Sequence, residues 1–193
     1  MNITDGAQVT RYFHEPKGPM MTPRLRTPLF ATLLAGSLLI SARTFAQVPA
    51  PIAASGETAV VTFHAEGAQV YECKLDSSSR LVWQFREPIA TLFIDGKTVG
   101  RHYAGPTWEN GDGSTVSAKV VARAPGAGPN DIPLLKLEAT TWHGTGKLNG
   151  VTTIQRLNTS GGSVEAGCDS PGTFLSVPYT ADYAFYRKAS GSH

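Results

Sequence analysis

Apolar and polar residues alternate along several short stretches of this chain, and this period-two pattern is the feature that most limits its fold. The clearest stretches are 81–86, 116–123 and 135–140. Their apolar sets are Leu81, Trp83 and Phe85, then Val116, Ala118, Val120 and Ala122, and then Leu135, Leu137 and Ala139. Successive side chains of a strand lie on opposite faces, so the pattern predicts half-buried antiparallel strands. Trp83 is therefore expected in the core and Arg123 on the solvent face.

Further strand candidates and the turns between them complete the fold prediction. The other candidates are 58–64, 68–74, 89–94, 97–103, 151–157 and 182–188. Asp95-Gly96 separates two of them as in a two-residue hairpin, because glycine tolerates positive φ. The Asn-Gly-Asp-Gly run at 110–113 predicts another hairpin, and 158–162 is expected to interrupt the later strands. Nine or so short strands without a convincing helical period predict one all-β domain, an antiparallel sandwich or barrel.

The residues before this domain predict an export signal. Arg24 and Arg26 introduce an apolar stretch at 28–40, and Thr44 and Ala46 are the small residues of a cleavage site. We expect cleavage after Ala46, a secreted or periplasmic location and no membrane span in the cleaved protein.

These patterns predict five segments. They are a mis-started or disordered extension at 1–19, the signal peptide at 20–46, a linker at 47–56, the β domain at 57–188 and a tail at 189–193. From residue 47 onward, 12 Lys and Arg face 13 Asp and Glu, a net charge of −1. A near-neutral domain lacks the basic surface of a nucleic-acid-binding protein, so we expect no nucleic-acid partner.

The chain has two cysteines, Cys73 and Cys168, and both follow the predicted cleavage site. In an oxidising compartment such a pair is expected to form a structural disulfide. The spacing of a redox-active Cys-x-x-Cys pair is absent. The bridge would close a long loop, which contributes about 4–5 kcal/mol in the chain-entropy model.

No motif for a known catalytic centre, metal or cofactor occurs, so candidate residues come from local density alone. The richest segment places His102, Tyr103, Trp108, Glu109 and Asp112 in a predicted strand end and Gly/Pro loop. An aromatic ring beside a carboxylate and an imidazole could bind a sugar or supply an acid–base pair. The alternative is that Trp108 and Tyr103 pack in the core while His102 bonds a backbone carbonyl.

Several motifs resemble domain-of-unknown-function family 3455, whose members are exported proteins of bacteria and fungi. They are the Tyr-x-Cys at 71–73, the Gly-x-His-x-x-Gly-Pro-x-Trp at 100–108, and the segments 83–114, 130–139, 150–162 and 168–186. The resemblance implies a shared fold and supports the pairing of Cys73 with Cys168. The motif includes His102, Gly105, Pro106 and Trp108. No activity follows from the resemblance.

The favoured hypothesis is a non-enzymatic binding or cell-envelope protein that contacts a glycan or another envelope protein through residues 102–112. The alternatives are a small hydrolase or lyase that uses His102 with Glu109 or Asp112, and a purely structural envelope protein. An enzyme requires His102 within hydrogen-bond reach of a carboxylate. Full burial of both His102 and Trp108 would exclude both the surface-contact and the enzyme hypotheses as stated.

Overall fold

A computed structural model describes residues 48–189, and the predicted signal peptide, the extension before it and the last four residues lie outside this range. Eight antiparallel strands follow one another around a closed barrel, in which β1 pairs with both β2 and β8. Their bounds are β1 Glu57–Leu75, β2 Leu81–Ile94, β3 Lys97–Tyr103, β4 Thr107–Asn110, β5 Thr115–Ala124, β6 Leu134–His143, β7 Thr153–Gly161 and β8 Phe174–Lys188. The predicted all-β antiparallel class is confirmed, with the barrel realised instead of the sandwich. Residues 48–189 contain no helix with the length and hydrophobicity of a membrane span.

Several strand predictions needed correction. The candidates 58–64 and 68–74 form one strand, β1, and Gly67 lies between them. At Gly67 the backbones of β1 and β2 are so close that a Cβ atom would collide with the backbone of Ile89 and Ala90. The candidates at 81–86 and 89–94 likewise merge into β2. The four-residue strand β4 was missed because Gly and Pro precede it and Gly follows it. The predicted interruption at 158–162 is wrong, since β7 continues through a bulge at Asn158, whose φ is 48°.

The hairpin predictions at 95–96 and 110–113 were correct. Asp95 and Gly96 have φ values of 49° and 72°, as a two-residue turn between β2 and β3 requires. The 110–113 run forms the connection between β4 and β5. The predicted disulfide between Cys73 and Cys168 is present.

One half of the barrel is filled with side chains. Phe63, Leu92, Ile154 and Phe185 are fully buried there, and Leu148 and Val151 of the 144–152 loop close this end. Eight strands enclose a space that side chains can fill or that can hold one small ligand. We call the opposite end, where β1, β3, β5 and β7 end, the mouth.

Trp83 and Phe85 do not lie in the core as expected. Trp83 is half-buried and Phe85 is 53% exposed, because both lie near the mouth end of β2, where side chains remain accessible. Within the predicted linker, residues 50–52 form a short 3-10 turn and Ile52 is fully buried. Gln155 and Lys136 donate hydrogen bonds to the carbonyl oxygens of Ile52 and Ala53, which fixes this segment to the barrel wall.

Candidate functional site

A cavity of about 430 Å³ lies inside the barrel beneath the mouth. This volume is within the range of small-molecule sites, about 300–1,000 Å³. Leu135, Leu137 and Val120 form an apolar part of the cavity wall. The loop residues Gly105 and Ile132 line the cavity at the mouth. Exposed lining residues, among them Phe85 and Arg123, show that the cavity opens to solvent at the mouth.

Two β-bulges determine which side chains reach this cavity. Phe85 pairs with Tyr71 and Pro88 pairs with Gln69, so Phe85 and Pro88 share the inner face although they are three residues apart. The extra residue between these pairs shifts the alternation, as a bulge does. Both Phe85 and Pro88 line the cavity.

The second bulge corrects the prediction for Arg123. Val120 pairs with Leu137 and Arg123 pairs with Leu135, and the two leucines share the inner face of β6. The register shift at Val121 therefore brings Arg123 to the inner face instead of the solvent face. Its side chain lines the cavity near the mouth.

Arg156 is the most unusual residue of the cavity. It is only 9% exposed, and its Nε donates a hydrogen bond to the carbonyl oxygen of Pro133 (3.0 Å). Within residues 48–189 no carboxylate lies within ion-pair distance of its guanidinium. A buried charge without a counter-charge is costly, and such charges are normally paired.

Two further buried polar groups lack partners. Gln69 Nε2 and Trp108 Nε1 belong to cavity-lining residues that are 2% and 1% exposed. Neither nitrogen has a hydrogen-bond partner in the described part of the chain. Most buried polar groups in proteins are satisfied, so two of the three exceptions in residues 48–189 at one cavity indicate a place for a bound molecule; the third is Thr159 Oγ1.

His102 is held against Trp108 at the cavity wall. The two rings stack with centroids 4.4 Å apart and planes 9° from parallel, and Tyr183 packs on both. His102 Nδ1 donates to the carbonyl oxygen of Thr107 (2.8 Å). Burial lowers the pKa of His102 to about 3, an effect that the hydrogen bond to Thr107 opposes and the charge of Arg156 reinforces. The imidazole is therefore neutral, and Nε2 is left as an acceptor.

A comparison of the sequence with models of protein families found one matching family. The model of a family described as "Protein of unknown function (DUF3455)" matches residues 53–187. The chain belongs to the DUF3455 family. The resemblance of the sequence motifs to this family is thereby confirmed. Searches of curated proteins and of solved structures gave no match.

The structure of this DUF3455 domain separates the five residues that the sequence placed in one candidate site. His102 and Trp108 lie together on the inner face and are both buried. Tyr103 and Glu109 lie on the outer face, where Glu109 accepts hydrogen bonds from Arg101 (2.8 Å) and Tyr103 (3.2 Å). The guanidinium of Arg101 holds the pKa of Glu109 below its usual range.

Asp112 lies in the turn between β4 and β5, at the end of the barrel opposite the mouth. Its carboxylate accepts hydrogen bonds from the Ser114 hydroxyl (2.6 Å) and from the backbone amides of Ser114 and Lys147. The Ser114 hydroxyl and then the Lys147 amide hold the pKa of Asp112 far below its usual range. Asp112 therefore joins two loops of the DUF3455 barrel and does not reach the cavity.

The arrangement does not provide the pairs that the enzyme hypothesis requires. Glu109 is on the opposite face of the sheet from His102, and Asp112 is at the other end of the barrel. None of the described residues that line the cavity is Asp or Glu. Residues 48–189 also contain no group of three or more His, Cys, Asp and Glu arranged to hold a metal ion.

Three polar cavity residues, Arg156, Gln69 and Arg123, were not predicted from the sequence. Arg156 shares a strand face with Ile154 in a predicted strand, and an arginine on an apolar face is a signal that could have identified it. Gln69 shares a face with Tyr71 in the same way. Arg123 had no such local signal, because only the bulge places it on the inner face.

Proposed function

We propose that this DUF3455 protein is an exported, non-enzymatic binding protein that holds a small organic molecule inside its barrel. The observation that supports this function best is the 430 Å³ cavity whose buried donors, Gln69 Nε2 and Trp108 Nε1, have no partner in residues 48–189. Each unmade hydrogen bond of a buried group costs about 1–3 kcal/mol, and a ligand that accepts these bonds would recover that energy.

The cavity supports ligand binding better than a contact surface made by residues 102–112. His102 is 3% exposed and Trp108 is 1% exposed, so neither ring is available to a partner that stays outside the barrel. A ligand inside the barrel would instead lie against the wall to which both residues belong. Phe85 and Arg123, which are exposed at the mouth and line the cavity, are the first side chains that it would encounter.

Binding is also better supported than catalysis. General acid–base chemistry needs a group that exchanges protons near the working pH. The low pKa of His102 and its hydrogen bond to the Thr107 carbonyl make it a poor proton donor there. The described cavity lining offers no carboxylate as a partner.

Export is proposed from the chemistry of the sequence. Residues 20–46 carry the basic, apolar and small-residue regions of a signal peptide. The Cys73–Cys168 disulfide fits an oxidising compartment, where such bridges persist.

Ligand binding is tested with two tryptophan substitutions at neighbouring positions. The full chain is expressed in a host that exports it and is recovered in oxidised form. Thermal shift and calorimetry then measure binding of small aromatic and alicyclic acids, their amides and alcohols, and a panel of oligosaccharides. Val120→Trp puts a large side chain into the cavity, whereas Val121→Trp adds the same side chain on the exposed face.

We expect at least one small molecule to bind the wild type and Val121→Trp and to lose binding in Val120→Trp. If no small molecule binds the wild type, or if Val120→Trp binds as well as Val121→Trp, the cavity is not the binding site. An oligosaccharide that binds both variants equally would place the contact on the outer surface, as the glycan hypothesis requires.

A further inference from the structure

The charged groups that line the cavity all carry the same sign. Arg156 lies inside, and Arg86 and Arg123 lie toward the mouth, while the described lining contains no acidic residue. Arg86 is balanced by Glu87 at 3.2 Å, whereas Arg123 and Arg156 form no ion pair within residues 48–189. Charges of one sign in a cleft with low-dielectric walls attract a ligand of the opposite sign. The cavity is therefore suited to an anion.

The geometry of Arg156 favours a planar anionic group. Its Nε is occupied by the Pro133 carbonyl oxygen (3.0 Å), and no described carboxylate pairs with the terminal nitrogens Nη1 and Nη2. A carboxylate can accept two parallel hydrogen bonds from the terminal nitrogens of a guanidinium. Tyr183 pairs with Arg156 across β7 and β8 and lines the same cavity.

We infer that the ligand is a small organic monocarboxylate, with its carboxylate on Arg156 and an apolar or aromatic body in the barrel. This inference rests on the proposed function, because it names the class of molecule that the cavity binds. The buried guanidinium of Arg156 balances one negative charge, whereas the second charge of hydrogen phosphate would have only Arg123 at the exposed mouth as a counter-charge. The surrounding walls are largely apolar, with Val120, Leu135 and Leu137 among them.

Other polar groups around the cavity can also bind a carboxylate ligand. Trp108 Nε1 and Gln69 Nε2, the two donors of cavity-lining residues without a described partner, can each donate to an oxygen of the ligand. Neutral His102 contributes Nε2 as an acceptor, which suits a ligand that also carries a hydroxyl group. Arg123 at the mouth adds a positive charge along the entry route.

The test compares isosteric probes that differ in charge. Benzoate, benzamide and inorganic phosphate are titrated into the full, oxidised chain by calorimetry or ligand-observed NMR. Benzoate is expected to bind at least about tenfold more tightly than benzamide, because charge-assisted hydrogen bonds are the stronger ones. Phosphate is expected not to compete with benzoate.

Two variants identify the charge that is responsible. Arg156→Met removes the cation while keeping an unbranched side chain, and we expect it to bind benzoate and benzamide equally within about twofold. Arg156→Lys keeps the positive charge but loses the planar guanidinium that can donate two parallel hydrogen bonds. It is expected to retain part of the preference for benzoate over benzamide. Far-UV circular dichroism and thermal melting establish that both variants fold.

The outcomes separate this inference from the proposed function. If the wild type binds benzamide as well as benzoate and Val120→Trp abolishes both, the cavity binds ligands but the monocarboxylate class is wrong. If benzoate is preferred and Arg156→Met leaves the preference unchanged in a folded protein, Arg156 is not its partner. If phosphate displaces benzoate at similar concentration, the site is a general anion site, which also overturns the inference. If none of these three probes binds the wild type while another small molecule of the panel does, the monocarboxylate class is wrong and the binding function stands. If no molecule of the panel binds, both proposals fail.

Discussion

His102 and Trp108 face each other as a cross-strand pair on β3 and β4, with ring centroids 4.4 Å apart and planes 9° from parallel. Both residues belong to the segment that the sequence placed in an exposed loop. Their burial changes their role from a surface contact to the wall of an interior cavity. The stack also fixes the orientation of Trp108 Nε1, the donor without a described partner.

Trp108→Phe is expected to weaken ligand binding more than it weakens the fold. Phenylalanine keeps an aromatic ring against His102 but removes Nε1, which has no described hydrogen bond to lose in the free protein. We expect a loss of unfolding free energy smaller than the roughly 3–5 kcal/mol of a Trp→Ala change in a core. Urea unfolding measures stability, and benzoate titration measures binding. Unchanged benzoate affinity in the folded variant would argue against a role for Nε1.

The protein is expected to lose stability as the pH falls below about 6.5. The pKa of His102 is about 3 in the folded state and about 6.5 in an unfolded chain, so protons bind the unfolded state preferentially between these values. The contribution of neutral His102 to the unfolding free energy is complete above about pH 6.5. It declines by up to roughly 1.4 kcal/mol per pH unit as the pH falls toward 3. Urea unfolding at intervals from pH 7 to pH 5 measures this slope.

His102→Asn supplies the control for this pH dependence. The variant has no imidazole, so its unfolding free energy should change much less between pH 7 and pH 5, although it is lower at pH 7. Glu109 and Asp112 have pKa values below their usual 4.5 and 3.8, so their contributions are lost only in more acidic solution. Equal slopes for wild type and His102→Asn would contradict the burial of a neutral His102.

Loss of the disulfide is expected to destabilise the barrel strongly. Cys73 near the end of β1 is joined to Cys168 in the 162–173 loop, 95 positions later. Closing a loop of this length contributes about 4–5 kcal/mol in the chain-entropy model, which is an upper-end value. The double variant Cys73→Ala/Cys168→Ala should unfold at lower urea concentration and be insensitive to reductant, whereas the wild type should be sensitive. Equal stability of the oxidised wild type and the double variant would contradict the assignment.

Asp112→Asn is expected to reduce stability without affecting ligand binding. The carboxylate of Asp112 accepts hydrogen bonds from Ser114 and Lys147 and so joins two loops at the end away from the cavity. Replacing it removes the charge and one acceptor, which should cost about 1 kcal/mol after allowance for solvent exposure. Glu165→Gln is the matched control, because Glu165 is exposed and forms no ion pair within residues 48–189, and it should leave the unfolding free energy nearly unchanged. A change in benzoate affinity in Asp112→Asn would show that this turn influences the cavity.

Export predicts a defined N-terminus for the recovered protein. After expression of the full chain in an exporting host, we expect the secreted or periplasmic fraction to contain a protein that begins at Gln47 and has both cysteines oxidised. Intact mass and sequencing of the N-terminal peptide determine both features. Retention of residues 20–46 in protein that stays in the cytoplasm would overturn the export proposal.

Local sequence patterns were sufficient to predict much of the fold. Alternation correctly assigned the inner faces of β5 and β6 at Val116, Ala118, Leu135 and Leu137, because a strand turns successive side chains to opposite faces whatever lies beyond it. The positive φ that Asp95-Gly96 accommodates identified a hairpin, since few other dipeptides tolerate that geometry.

The site required information that no local pattern carries. The bulge at Val121 reverses the alternation and brings Arg123 to the inner face, and the bulge at Arg86 puts Pro88 on the same face as Phe85. No glycine or proline occupies either bulge position to reveal it. Pairing of β1 with β8 across more than half of the chain closes the barrel and decides between barrel and sandwich. Arg156, Gln69 and Trp108 come from three strands that are distant in sequence, so only this closure brings them around one cavity. Local patterns predicted most of the strand segments, the single disulfide and two of the turns, because these depend on local geometry and on the presence of only two cysteines. The register, the bulges and the interior cavity follow from the closed barrel, because they depend on which distant strands lie side by side.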